Sequence, residues 1–155
     1  MTYSKAGLNH SEARTDEQKK LMNQIEEDGV CPFCQEHFRK YHPKPILKET
    51  DYWFLTENMS PYEGTSHHYI FVYKPTHITL PSELTNESRI ELFDLIDFTI
   101  KEYDIPGGAF FIRLGEGDYN GSSVEHLHGH LISGVSKGDD TEGLRVKLGF
   151  KKIQK

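Results

Sequence analysis

Short runs of aliphatic, aromatic and β-branched residues, separated by polar turns, mark the first half of the chain. Residues 46–50 and 52–56 are two β-rich runs with Asp51 at the bend between them, which predicts a hairpin. Residues 69–73 are a nearly continuous apolar and aromatic run followed by Lys74 and Pro75, a pattern typical of a buried strand.

Two segments show the spacing or the composition of α-helices. Between residues 82 and 104, apolar side chains recur every three or four positions after Thr85 or Asn86 as N-cap, which predicts the main helix. Residues 11–28 are charged and tolerate a helix. Only three residues of that segment offer apolar contact: Leu21, Met22 and Ile25. We therefore expect a marginal, mostly solvated N-terminal helix.

The last third of the chain returns to strand patterns. Residues 109–114 and 125–132 predict two strands, and the glycine-rich turn over 115–121 gives them the spacing of antiparallel neighbours. Residues 144–150 alternate and are compatible with one more short strand. Strands, then a helix, then strands predict an α+β domain with an antiparallel sheet of about five strands.

Length and charge suggest one domain with extensions. A chain of 155 residues can bury one core, so we expect a central domain over 29–136 between a polar N-terminal extension, 1–28, and a C-terminal extension, 137–155. The C-terminal extension is basic and the remainder is acidic, giving a net charge of −6. An acidic body argues against duplex nucleic acid as a partner, whereas a small nucleotide remains compatible with it.

The two cysteines, Cys31 and Cys34, are separated by two residues. No apolar run is long enough to span a bilayer, and residues 1–10 lack a signal-peptide core, so we expect a soluble cytoplasmic protein with no membrane partner. In a reducing compartment, this cysteine spacing indicates metal binding or redox chemistry. The βαβ context of a thioredoxin-like redox motif is absent from the predicted elements.

Three histidines alternate with other residues at His126, His128 and His130. On a strand, residues two apart share one face, so we expect the three imidazoles to point the same way. Three readings follow: a solvated histidine-rich strand, a cage in which the histidines themselves bind a metal ion, or a catalytic surface.

The segment from His126 to Ile132 resembles the signature of the histidine triad (HIT) superfamily. Ser123 lies three residues before the first histidine, as in that family, and the turn from Asn58 to Pro61 is similar to a family turn after a hairpin strand. The similar pieces run from about Cys31 to about Gly134. The resemblance implies a HIT-like catalytic domain.

The resemblance also implies a function: a nucleotidyl hydrolase, with His128 attacking the α-phosphorus to form a nucleotidyl-histidine. His130 would hydrogen-bond phosphate oxygens, and Ser123 would donate toward the leaving group. This chemistry is reasonable because neutral imidazole is a good nucleophile near pH 7. Five further residues are expected to contact the substrate, through the phosphate, the ribose or the base: Val124, Asn58, His68, Trp53 and Phe54.

A structural zinc ion is the cofactor that the resemblance implies. In several triad proteins, a Cys-x-x-Cys pair joins the first triad histidine and a histidine after the central strand. The matching ligands here are Cys31, Cys34, His77 and His126. All four are suitable for a closed tetrahedral site.

Two departures from the family pattern leave substrate choice open. Many members have histidine where Tyr69 stands, and the neighbouring His68 is a candidate substitute. Gly115 replaces an asparagine common in the hydrolases, which leaves Arg113 or Asn120 as candidate phosphate contacts.

Several functions remain open at this point. The leading one is hydrolysis of dinucleoside polyphosphates, nucleoside phosphoramidates or nucleotide sugars, and histidine at the third triad position favours water as acceptor. The alternatives are a nucleotidyltransferase, a zinc-containing nucleotide-binding or adaptor module without turnover, and a hydrolase with catalytic metal on the triad. A homodimer is compatible with the pattern.

Overall fold

The computed structural model describes residues 15–155, which contain a five-stranded antiparallel sheet. The strands are β1 (Ile46–Glu49), β2 (Trp53–Glu57), β3 (His67–Tyr73), β4 (Ala109–Arg113) and β5 (His128–Ser133). Their order is β1-β2-β3-β5-β4, so β5 lies between β3 and the edge strand β4. The predicted α+β architecture with about five antiparallel strands is confirmed.

The main helix, α3 (Asn86–Glu102), covers one face of the sheet. The Thr85 side chain caps it by accepting a hydrogen bond from the Ser88 N–H, so the first of the two candidate N-caps is the one used. Trp53 anchors β2 to the start of α3, because its indole Nε1 donates to the Ser88 carbonyl at 2.9 Å. The principal apolar core lies between this sheet face and α3.

On the opposite face, α2 (Gln35–Tyr41) packs on the sheet, and α1 (Asp16–Asp28) packs against Tyr41 of α2 and against Val124. From α2, Phe38 stacks on Phe54 at 4.8 Å between ring centroids and packs against Ile70 and Val72. Helix α1 agrees with expectation: most of its residues are exposed and its apolar residues make the packing contact, with Met22 and Ile25 4% and 3% exposed. Helix α2 was not predicted from the sequence.

Three details of the secondary structure also differ from the sequence-based expectations. β5 begins at His128, not at residue 125, and a short helix α4 (Gly117–Asn120) lies inside the glycine-rich turn. Residues 144–150 form no strand; they pack against loops instead. The first part of the expected N-terminal helix, residues 11–14, lies outside the described residues. Within residues 15–155, no helix is long and apolar enough to cross a lipid bilayer.

Candidate functional site

The triad histidines separate into two groups. His128 and His130 lie on β5, share the sheet face on which α2 packs, and have ring centroids 5.0 Å apart. His126 precedes the first residue of β5, and its ring contacts His77 and the two cysteines. The expectation that all three share one strand face was therefore wrong for His126. A cage in which all three triad histidines bind one metal ion does not fit either, because His126 belongs to a different cluster.

His128 has its two ring nitrogens in different environments. Its Nδ1 lies 2.5 Å from the His126 carbonyl oxygen, which can only accept, so Nδ1 carries the hydrogen and Nε2 keeps its lone pair. Burial lowers the pKa of His128 to about 3, and the ring is therefore neutral near pH 7. The Phe33 ring meets it edge-on at 5.0 Å. This arrangement gives a buried, oriented imidazole with one nitrogen able to act as a nucleophile.

His130 belongs to a buried network that reaches the loop after β2. Its Nδ1 lies 2.7 Å from His68 Nε2, and the Asn58 amide nitrogen lies 3.1 Å from the same His68 atom. The Tyr62 N–H donates to His68 Nδ1 at 3.2 Å, and Phe111 stacks on His130 at 4.8 Å. His68 thus lies behind His130 and orients it, and Asn58 reaches the triad through His68.

A cavity of about 960 Å³ opens on this face of the sheet. Five of the predicted site residues line it: Asn58, Ser123, Val124, His128 and His130. The Val124 N–H already donates to the Ser122 hydroxyl at 3.1 Å, so the expected role of this amide in binding phosphate does not fit the structure. No such contact engages the Ser123 side chain among residues 15–155, and that residue is half-buried at the cavity wall.

Trp53 and Phe54 do not line the cavity. Neighbouring strand residues face opposite sides, and Trp53 lies on the α3 face with 1% of its surface exposed. Phe54 is on the triad face but is covered by Phe38 and is fully buried. The expectation that these two rings wall a nucleotide base was therefore wrong.

Helix α1, the segment before α2 and the end of α2 supply the apolar part of the wall instead. That part contains Leu21, Met22, Ile25, Phe33 and Tyr41. The sequence showed the apolar residues of α1, but nothing local indicated that the helix folds back over the triad. Arg113 and residues 145–147 also line the cavity. Their position depends on packing between distant segments of the chain.

Four metal-ligand side chains converge beside the triad: Cys31, Cys34, His77 and His126. Their donor atoms all lie within 4.8 Å of one another. The His126 Nδ1 is 3.5 Å from Cys31 Sγ, 3.8 Å from Cys34 Sγ and 3.2 Å from His77 Nδ1, and Cys34 Sγ is 3.6 Å from His77 Nδ1. The structure thus brings together the four residues that the sequence indicated.

The surroundings of the cluster favour metal binding. His126 Nε2 lies 2.7 Å from the Tyr73 carbonyl oxygen, so Nε2 carries the hydrogen and Nδ1 presents its lone pair to the cluster. The hydrogen bond from Cys34 lowers the pKa of the Cys31 thiol well below its usual range, and the same pairing raises the pKa of Cys34. A thiolate, a metal ligand in its own right, is therefore already favoured at Cys31.

Comparisons with known proteins support the fold. No protein-family model matches the sequence, and no curated protein matches it either. Among solved structures, a HIT-like protein with 18% identity has a TM-score of 0.53, over 65% of this chain and 96% of that protein. A histidine triad protein from Clostridium difficile has 18% sequence identity and a TM-score of 0.50, over 66% of this chain and 90% of that protein. The histidine triad nucleotide-binding protein from Candida albicans has 16% sequence identity and a TM-score of 0.50, over 68% of this chain and 82% of that protein. The chain therefore has the fold of the histidine triad proteins, as its sequence predicted.

Proposed function

We propose that this protein is a nucleotidyl hydrolase that cleaves a nucleoside phosphate derivative at its α-phosphorus through a nucleotidyl-His128 intermediate. The observation that carries the proposal is the bond between His128 Nδ1 and the His126 carbonyl, because it leaves Nε2 as the reactive nitrogen in a cavity wall. The Candida albicans protein of the same fold is described as nucleotide-binding, which agrees with this choice of ligand.

In the first step, the Nε2 lone pair of His128 attacks the α-phosphorus. A new N–P bond forms, and the bond from phosphorus to the leaving group breaks, with its electron pair going to the leaving atom. Ser123, which lines the cavity, would donate a hydrogen bond to that atom as negative charge develops. His130, oriented through His68, stabilises the phosphoryl oxygens by hydrogen bonding.

In the second step, a water oxygen attacks the same phosphorus. The N–P bond breaks, its electron pair returns to His128 Nε2, and the proton lost by the attacking water passes to solvent as the nucleoside monophosphate leaves. Two in-line displacements replace one difficult reaction, which is the advantage of covalent catalysis. Asn58 is proposed to hold the ribose, and the apolar wall of α1 and Phe33 is proposed to hold the base.

We also propose that the Cys31, Cys34, His77 and His126 cluster holds a structural zinc ion. Zn–S bonds of about 2.3 Å and Zn–N bonds of about 2.05 Å require tetrahedral edges of about 3.5 Å for S···N and about 3.3 Å for N···N. The measured separations of 3.5, 3.6 and 3.8 Å for S···N and 3.2 Å for N···N fit those values. The ion would join the segment before α2 to the start of β5.

A single-turnover reaction with substrate labelled at the α-phosphate tests the mechanism. We expect acid-labile label on the peptide that contains residue 128, detected by mass spectrometry after rapid quenching. His128→Ala should lower the chemical step by several orders of magnitude while nucleotide binding persists, because no other group replaces the nucleophile. His37→Ala is the matched control, since this half-buried histidine of α2 lies away from the cavity wall.

Four results would contradict the proposal. Label trapped on another residue, or full activity in His128→Ala, would exclude His128 as nucleophile. Nucleotide binding by the wild type without turnover of any phosphoanhydride, phosphoramidate or nucleotide sugar would favour the adaptor function instead. Transfer to an added phosphate or alcohol in preference to water would make the protein a transferase. Dimerisation and a cytoplasmic location remain predictions.

A further inference from the structure

Arg113 is a buried cation beside the proposed nucleophile. It ends β4 directly opposite His128 on β5, lines the cavity, and is only 6% exposed. Its guanidinium donates to the carbonyls of Asn120 and Lys147, the latter at 2.8 Å, and to the Tyr62 hydroxyl at 2.7 Å. Among residues 15–155, no aspartate or glutamate forms an ion pair with it.

A buried charge with only neutral partners is costly in free energy unless an anion joins it. Arginine has five N–H groups in a planar fork that matches phosphate oxygens, and the three bonds to neutral oxygens do not use them all. Arg113 therefore has both the charge and the spare donors that an anionic group in the cavity needs.

The C-terminal segment 144–149, which we call the strap, is docked across the same side of the cavity. Its central contact is the Lys147 carbonyl, which accepts from Arg113. Leu144 packs against Gly64 so closely that a Cβ on that glycine would lie 3.3 Å from Leu144 Cδ1. At Gly149 the strap runs close to α4, because a Cβ added to this glycine would lie 2.8 Å from the Tyr119 carbonyl oxygen. The strap therefore spans from the loop after β2 to α4.

The strap brings further positive charge to the cavity. Arg145 and Lys147 both line it and both have exposed side chains, whereas the acidic residues of the wall are Glu17 and Glu63. The sheet order places these basic groups on the β4 side of His128. Helix α2 packs over β2 and β3, on the other side of β5. His128 thus lies between an apolar wall and a basic wall.

We propose that Arg113 and the strap form a leaving-group subsite that binds one or more phosphates beyond the phosphorus attacked by His128. This proposal rests on the proposed function and narrows its substrate class. The favoured substrate is a nucleoside 5′-phosphoanhydride, whose leaving group is a phosphate or polyphosphate. When its P–O bond breaks, the electron pair goes to the bridging oxygen, and Arg113, Arg145 and Lys147 stabilise the added negative charge. A phosphoramidate, which releases a neutral amine, gains nothing from these charges.

The experiment compares two substrates that share one nucleoside 5′-phosphoryl group. One is the nucleoside 5′-phosphoramidate and the other is the matching nucleoside 5′-triphosphate, measured as kcat/KM with the full-length protein. In Arg145→Ala/Lys147→Ala we expect the ratio of triphosphate to phosphoramidate kcat/KM to fall by about ten-fold, the effect of removing two solvent-exposed charges. Both side chains are exposed, so the fold should tolerate the change.

Lys151→Ala/Lys152→Ala is the matched control, because these exposed lysines belong to the same extension but do not line the cavity. The ratio should stay at the wild-type value in this control. An equal fall for both substrates in the strap variant, or no fall for either, overturns the subsite. A ratio that falls as much in the control as in the strap variant also overturns it, since net charge would then be the cause.

A binding measurement separates this proposal from the proposed function. Calorimetric titration with inorganic tripolyphosphate should show about ten-fold weaker affinity in Arg145→Ala/Lys147→Ala than in the wild type. If the wild type cleaves no substrate yet shows that difference, the hydrolase function fails and only the polyphosphate-binding role of Arg113 and the strap stands. If the wild type cleaves substrates through His128 but tripolyphosphate binds both proteins equally, the subsite fails and the hydrolase function stands.

Discussion

His126 makes its contacts through three polar atoms, each in a different part of the site. Its Nδ1 faces the cysteines and His77, its Nε2 donates to the Tyr73 carbonyl, and its own carbonyl accepts from His128. The residue contributes no group to the proposed chemical step, yet it sets the tautomer of the nucleophile. A substitution at His126 removes the ring from the cluster but keeps the carbonyl, so we expect it to lower stability directly and to lower the rate only as far as the backbone at residue 126 shifts.

His42 gives a prediction about pH and stability. Burial lowers the pKa of His42 to about 4 from its usual 6.5, and Thr56, whose hydroxyl donates to the Pro45 carbonyl, accepts a hydrogen bond from the neutral ring. Between pH 6.5 and pH 4, His42 is protonated in the unfolded chain but stays neutral in the folded chain. The contribution of His42 to the free energy of unfolding is therefore complete above pH 6.5 and is lost as pH falls toward 4. The loss is about 2 kcal/mol after allowance for partial exposure.

The variant His42→Gln keeps a donor near Thr56 but cannot titrate. We expect the free energy of unfolding of the wild type to fall more steeply than that of His42→Gln between pH 7 and pH 4.5, measured by urea denaturation at each pH. Parallel pH profiles for the two proteins would show that His42 is not the group responsible.

At the scale of elements, the cluster of cysteines and histidines joins the segment before α2 to the ends of two paired strands, β3 and β5. Cys31 and Cys34 precede α2, His77 follows β3, and His126 leads into β5. Residue types and spacing predicted this set, because metal ligands must converge and few side chains can serve. Local patterns did not predict α2, because seven residues are too few to show a clear helical spacing of apolar side chains. They also did not predict that β5 begins at His128.

Cys34→Ala tests the cluster. Removing one ligand should lower the free energy of unfolding by several kcal/mol, because metal binding contributes directly to folding, and should reduce bound zinc from about one equivalent. The effect on stability should exceed the effect on the chemical step. Elemental analysis and thermal denaturation measure the two quantities, and Glu36→Ala, an exposed neighbour in α2, serves as control. A Cys34→Ala protein with unchanged metal content would refute the zinc assignment.

At the scale of the whole molecule, the cavity is built from both ends of the described chain. The sequence predicted its floor, because strand alternation places His128 and His130 together and the triad motif is short and specific. It did not predict the walls, since the docking of α1, the strap and Arg113 depends on contacts between residues far apart in the chain. The prediction for Trp53 failed for the same reason. Strand alternation shows that Trp53 and Phe54 face opposite sides of the sheet, but it does not show which side holds the cavity. That side is identified only by strand pairing, in which Phe54 lies opposite Val72 and Val72 lies opposite His128.

Helix α1 provides the test at this scale. Leu21→Ala removes part of the apolar wall without touching the triad, so we expect affinity for a nucleoside monophosphate to weaken by about three- to ten-fold, the value of the apolar surface lost. Affinity for inorganic tripolyphosphate should change much less. Lys20→Ala, an exposed neighbour in α1, is the control in both titrations. Equal weakening for both ligands would mean that α1 shapes the whole cavity and provides no base wall.

The strap is held to Arg113 by the carbonyl of residue 147, and every amino acid carries that group. Positions 145 and 147 can therefore change their side chains while the docking bond stays the same. Divergence at these two positions would alter which leaving group the cavity accepts and would leave the nucleophile and the metal cluster untouched. A two-position library at 145 and 147 is thus a direct route to new leaving-group preferences on an unaltered scaffold.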